Sequence, residues 1–112
     1  MGKLRALKYI DDESFARDWA LARAENRGYG PIRIEQELRT KGVSQSLIRE
    51  ITGAIFGSGD EEKNARALLE KKFRGVDLRD PKTLRRAGAF LERRGYRSAV
   101  IFALVRRQME ED

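Results

Sequence analysis

A short motif occurs twice in this chain, and its spacing dictates what the chain can fold into. Leu38-x-x-Lys41-Gly42 returns as Leu91-x-x-Arg94-Gly95, and aliphatic residues follow each glycine at matching steps. Leu47, Ile48 and Ile51 follow the first, and Val100, Ile101 and Leu104 follow the second. Every corresponding pair, from Leu38 and Leu91 to Ile51 and Leu104, is 53 residues apart. A glycine directly after an amphipathic helix closes it in the left-handed conformation, where a Cβ would cost energy. Apolar residues at helical spacing on both sides belong to the two helices the glycine joins. The pattern predicts two copies of one helix–elbow–helix unit.

The flanking segments complete each unit. Asp11 and Asp12 have the chemistry of a helix start, accepting hydrogen bonds from free amides and complementing the dipole. The helix they open runs to about Arg27, with Phe15, Ala16, Trp19, Ala20 and Arg23 on one side and Trp19 as core anchor. Gly28-Tyr29-Gly30-Pro31 reads as a turn, with Pro31 suited to a first helical position. Ile34 and Leu38 then point inward. Ser44 is a predicted N-cap, and Val43 and Ile48 have the spacing of a hydrophobic staple. In the second unit Ser58 and Glu61 fit a capping box, and Ala65, Leu68, Leu69 and Phe73 form an inward face. Ala65, Leu68 and Leu69 stand 49 residues after Ala16, Trp19 and Ala20, so the loop from Gly75 to Asp80 is four residues longer than its counterpart. Asp80-Pro81 opens the next helix, with Leu84, Ala87 and Leu91 inward. Met1 to Ile10, with Leu4, Leu7 and Ile10, reads as the tail of a helix from a preceding unit.

The expected architecture is all-α. Residues 1–10 are the remnant helix of an earlier repeat, 11–57 a first three-helix repeat, 58–109 a second, and 110–112 an acidic tail. Each unit is too small to bury its own apolar faces, so the two should pack against one another.

Composition narrows the chemistry. The 112 residues include no cysteine and no histidine, which removes thiolate nucleophiles, the commonest general base and the usual zinc ligands. Gly28-Tyr29-Gly30 and Gly57-Ser58-Gly59 lack the GxxxxGK[ST] pattern that cradles phosphates. No apolar run approaches the ~18–20 residues of a membrane span. The chain is expected to be a soluble, cytoplasmic, monomeric binding protein with no membrane partner, no cofactor, no metal and no catalytic residues. It carries 24 basic and 18 acidic residues, a net charge of +6. That balance favours acidic or polyanionic partners.

The candidate partner-binding residues concentrate in the second unit. Lys82, Arg86 and Arg93 fall on one side of a helix opposite Leu84, Ala87 and Leu91, with Arg85 flanking them. Arg94 and Arg97 bracket the second elbow. Lys71, Lys72 and Arg74 stand near a helix C-terminus, where the dipole favours cations. In the first unit the equivalent surface is thinner and consists of Arg33, Arg39, Lys41 and Arg49. Helix capping and solubility also account for Lys41, Arg94 and Lys72, but the run Arg93-Arg94-Tyr96-Arg97 is harder to explain that way and points to a partner contact.

Taken together, these residues resemble the RecX family, bacterial regulators of the RecA recombinase. The resemblance is carried by Asp11-Asp12-x-x-Phe15-Ala16 and by Gly30-x-x-x-Ile34-x-x-Glu37-Leu38-x-x-Lys41-Gly42-Val43. Ala65-x-x-Leu68-x-x-Lys71-Lys72 and Phe90-Leu91-x-x-Arg94-Gly95-Tyr96-x-x-x-Val100-Ile101 carry it through the second unit. It implies tandem three-helix repeats, most members having three, that lie in the groove of the RecA–DNA filament and limit its ATPase and strand-exchange activities. A second reading is a helix-turn-helix module acting on DNA directly, with Gln45, Ser46 and Arg49 reading bases and Arg94 and Arg97 on phosphates. Against that reading, the segment from Ala99 to Val105 has almost no polar side chain with which to read bases.

Overall fold

The computed structural model describes residues 2–110, with side chains described over residues 13–107. Among the described residues there are six α-helices and no strand. They are α1 (Gly2–Arg27), α2 (Pro31–Thr40), α3 (Gln45–Phe56), α4 (Asp60–Lys72), α5 (Pro81–Arg94) and α6 (Ser98–Glu110).

The helices pack as two copies of one arrangement. In the first, α1, α2 and α3 all touch one another, and in the second α4, α5 and α6 do the same; α3 against α4 links them. The two copies stand end to end. The molecule measures 58 × 22 × 17 Å with a radius of gyration of 16.4 Å, against about 13 Å for a compact globule of this length. The duplicated motif therefore produces a rod.

Both elbows close as the spacing predicts. Gly42 and Gly95 have φ of 88° and 96°, and the amides just beyond them turn back onto the preceding helices, Val43 onto Leu38 and Tyr96 onto Leu91. Ser44 caps α3 by accepting from the Leu47 amide at 3.3 Å, and Asp80 caps α5 by accepting from Thr83 at 3.1 Å. Pro31 and Pro81 each occupy a first turn. Ile34, Leu38, Ile48 and Ile51 are buried in the first copy; Ala65, Leu69, Ala87, Leu91 and Leu104 are buried in the second. Each large aliphatic in that set contributes about 1.5–3 kcal/mol relative to exposure.

Three local expectations differ from the structure. The helix beginning at Gly2 passes through Asp11 and Asp12 without a break, so neither starts a helix; nothing between Ile10 and Asp11 interrupts helical geometry, and a carboxylate caps only where the backbone leaves it. Ser58 is not an N-cap. It takes a positive φ of 55°, Gly59 at φ 85° becomes the capping residue, and no side chain caps α4. Trp19 is half-buried rather than central. Ala16 and Ala20 reach the core on either side of it, and the indole Nε1–H donates to Glu37 at 2.8 Å. The side chains of Leu4, Leu7 and Ile10, and those of the 110–112 tail, lie outside the described residues.

Candidate interaction surfaces

The second elbow is built into the junction between the copies. The Gly30 amide donates to the carbonyl of Arg94 at 2.7 Å, and the Ile32 amide donates to that of Gly95 at 2.8 Å. In return the Arg94 guanidinium donates to the Arg27 carbonyl at 2.6 Å, and the Tyr96 hydroxyl donates to the Gly28 carbonyl at 3.0 Å. Contact this close needs glycine. A Cβ at Gly30 would stand 2.7 Å from the Gly95 carbonyl oxygen, and one at Gly95 would stand 2.5 Å from the Arg33 amide nitrogen. Gly95 thus combines the left-handed turn with a backbone contact, a second demand that the sequence pattern alone does not reveal.

Tyr96 is 2% exposed. Burial pushes its phenol up to about 12; the nearby Glu61 charge acts in the same direction and Arg94 opposes it. Glu61 is itself buried. Its carboxylate accepts from the Arg97 amide at 2.9 Å and pairs with the Arg97 guanidinium at 3.1 Å. Arg97 immediately precedes α6, so Glu61 reaches from another helix to the amide that a capping-box glutamate would satisfy from within its own. Sequence reading placed Glu61 in a local box with Ser58. No local signal marks its true partner, because the pairing exists only once α4 and α6 pack.

The basic residues singled out from the sequence separate into groups. Lys71 and Lys72 are exposed on the last turn of α4, and with Arg94 they line a groove of about 1160 Å³ between the two copies. Lys72 Nζ lies 5.6 Å from the centre of the Phe90 ring and Arg94 Cζ lies 5.1 Å from it. Arg86, Phe90 and Arg93 share one face of α5 by their i, i+4, i+7 spacing, and Lys82 precedes them on that face. Arg86, Arg93 and Lys82 are exposed, so one basic surface runs from the end of α4 along α5. Arg74 is exposed in the loop that follows α4. Arg85 belongs elsewhere, to a groove between α5 and α6. Arg94 and Arg97 are engaged within the chain as described. Arg39 donates to Gln45 at 3.4 Å, and Lys41 lies over Trp19, 4.1 Å from the ring centre. No cluster of His, Cys, Asp and Glu that could hold a metal ion occurs among the described residues. None of the described helices is long and apolar enough to cross a membrane.

A rod of tandem three-helix units defines a helical-repeat protein. Comparison with known proteins gives the family. RecX's second three-helix domain matches residues 11–51 and its third three-helix domain matches residues 60–105. The chain is 38% identical over 95 residues to the regulatory protein RecX of Trichlorobacter lovleyi, covering 83% of this chain and 62% of that protein. It is 35% identical over 113 residues to the regulatory protein RecX of Streptomyces coelicolor, covering 100% of this chain and 60% of the relative. With the RecX of Mycolicibacterium vanbaalenii it shares 33% identity over 121 residues, covering 100% and 64%. No solved structure matches the chain significantly. The chain belongs to the RecX family of regulatory proteins, and it spans somewhat over half the length of these relatives.

Proposed function

We propose that this protein binds the RecA–DNA filament and restrains its ATPase and recombinase activity, acting by occupancy and without chemistry of its own. The observation that carries the reading is the rod itself. Two units locked end to end by backbone hydrogen bonds make an elongated body whose second unit carries exposed Lys71, Lys72, Arg86 and Arg93, a shape and charge suited to lying along an acidic polymer rather than gripping a compact ligand. Family membership supports the partner. The test adds the purified protein to RecA, single-stranded DNA and ATP and follows phosphate release. A dose-dependent fall in hydrolysis is expected; unchanged hydrolysis at every ratio, with a full-length RecX inhibiting in parallel, overturns the reading.

Direct action on DNA is the second reading, and exposed Gln45, Ser46 and Arg49 on the first turns of α3 favour it. The positions 53 residues later are Ser98, Ala99 and Phe102, which offer one hydroxyl, one methyl and one phenyl. Only the first of the two helices in the reading position therefore carries long side chains able to read bases by bidentate hydrogen bonds. Binding to naked DNA is expected to ignore sequence and to fall steeply with salt.

A further inference from the structure

The same comparison of α3 with α6 exposes an asymmetry that duplication does not explain. Between α5 and α6 lies a groove of about 710 Å³ whose lining includes Leu84, Gly88, Ala89, Ile101, Phe102 and Val105. Phe102 is 61% exposed, the highest value among the large hydrophobics of the described residues. The residues 53 positions earlier at Gly88, Ala89, Phe102 and Val105 are Glu35, Gln36, Arg49 and Thr52. At these four positions the first copy is polar where the second is small or apolar, while Leu84 and Ile101 are apolar in both copies, as Pro31 and Ile48. A solvent-facing aromatic in such a setting marks a contact surface.

The floor and the rim indicate what fits. Gly88 leaves the floor open, since a Cβ there would meet only Ile101 Cγ2 at 3.6 Å, so a side chain from outside can descend to the backbone of α5. The rim is polarised. Arg79 and Arg85 line one part, and Arg106 stacks on Phe102 with Cζ 4.9 Å from the ring centre. Glu92 is the acidic residue in the lining, near the elbow where Ser98 begins α6. Arg79 already pairs with Asp77 at 3.5 Å, which leaves Arg85 and Arg106 as the cations over the apolar floor. A second copy of this chain, at +6, would bring like charge against them.

We propose that the α5–α6 groove docks an amphipathic helix of a second protein, its apolar anchor seated on Phe102 above Gly88 and its acidic flank against Arg85 and Arg106. Helices in grooves are read through anchors at i, i+3, i+4 and i+7, and complementary charge sets their orientation. The inference rests on the chain being a protein-binding regulator, but it concerns a surface separate from the Lys71–Arg93 side.

The test contains no recombinase, so its failure is distinct from failure of the filament reading. A fluorescent synthetic helix with leucines at i, i+3, i+4 and i+7 and glutamates elsewhere is titrated with the full chain and followed by anisotropy. A scrambled peptide of the same composition and a version with lysine for glutamate serve as controls. The acidic amphipathic peptide is expected to bind best, and Phe102→Ala and Gly88→Glu are each expected to weaken it by roughly tenfold, about 1.4 kcal/mol. Phe102 is exposed, so its variant keeps the fold and decides the matter even where Gly88→Glu melts early. No binding, equal binding of the scrambled or lysine peptide, or unchanged affinity in Phe102→Ala overturns the proposal. So does self-association of the wild type in sedimentation that Phe102→Ala abolishes, since a second copy would then be the occupant.

Discussion

Arg94 donates across 67 residues of sequence to the main-chain carbonyl of Arg27, at 2.6 Å. A charged side chain therefore holds the two repeats in register, next to an elbow whose own carbonyls receive the amides of Gly30 and Ile32. The junction behaves as one clasp made of backbone, reinforced by the side chains of Arg94 and Tyr96 and by Arg33, which donates to the Arg93 carbonyl at 3.4 Å.

Arg94→Ala should destabilise the protein by about 1–3 kcal/mol, the cost of an unmade hydrogen bond to a charged donor. Arg93→Ala, at an exposed neighbouring position, should change stability by no more than about 0.5 kcal/mol. Urea unfolding of the two variants checks the contrast, and equal losses would remove Arg94 from the clasp.

Two glycines in the first repeat should respond in opposite directions to alanine. At Gly30 the new Cβ would press on the Gly95 carbonyl at 2.7 Å, where only backbone movement relieves it. At Gly53, inside α3, nothing stands within 4 Å, and alanine should gain about 1 kcal/mol from helix propensity. Thermal melts that rise for Gly53→Ala and fall for Gly30→Ala are the expected result.

Glu61→Ala should cost about 1–2 kcal/mol, as loss of a helix cap does, and Glu61→Gln should recover part of that. The amide oxygen of glutamine still accepts from the Arg97 amide, while the ion pair with Arg97 is lost. Hydrogen exchange localised to the first turn of α6 would separate this cap from a general loss of core.

Alkaline unfolding should depend on Tyr96. Its phenol is raised from 10 to about 12 in the folded protein, so the protonated form is favoured there. The associated stability, roughly 2–3 kcal/mol for an acidity about a hundredfold weaker, is fully present below pH ~10 and is lost as pH climbs towards 12. Tyr96→Phe should flatten the pH dependence across that window, followed by denaturant midpoint.

What the sequence revealed, and what it hid, divides by range. The elbows at Gly42 and Gly95, the caps at Ser44 and Asp80 and the apolar faces are set within one or two turns of chain; the duplicated spacing exposed the elbows and faces, and local side-chain chemistry exposed the two caps. The partners of Glu61, Arg94 and Tyr96 lie 36, 67 and 68 residues away, and no periodicity encodes such pairs. Arg94 shows the difficulty most plainly: a cation beside a helix-ending glycine has the same local signature as a surface cap, a partner contact or a clasp. Asp11 and Asp12 erred in the other direction, having the composition of a helix start inside an unbroken helix. Among the basic residues, charge and helical face were legible, but the division between free surface and intrachain pairing required the packing of α4 and α5.

Because Arg94 and Arg97 also maintain the fold, the exposed Arg86 and Arg93 are the cleaner probes of the proposed binding side. Co-sedimentation with assembled RecA–DNA filaments should show the wild type pelleting and the Arg86→Glu, Arg93→Glu double variant weakened by roughly tenfold or more. Arg49→Glu, on the opposite repeat, should lose less than about threefold under the same salt. Equal weakening of both variants, or a wild type that stays in the supernatant with intact filaments, would contradict a filament-binding rod with its contacts on the second repeat.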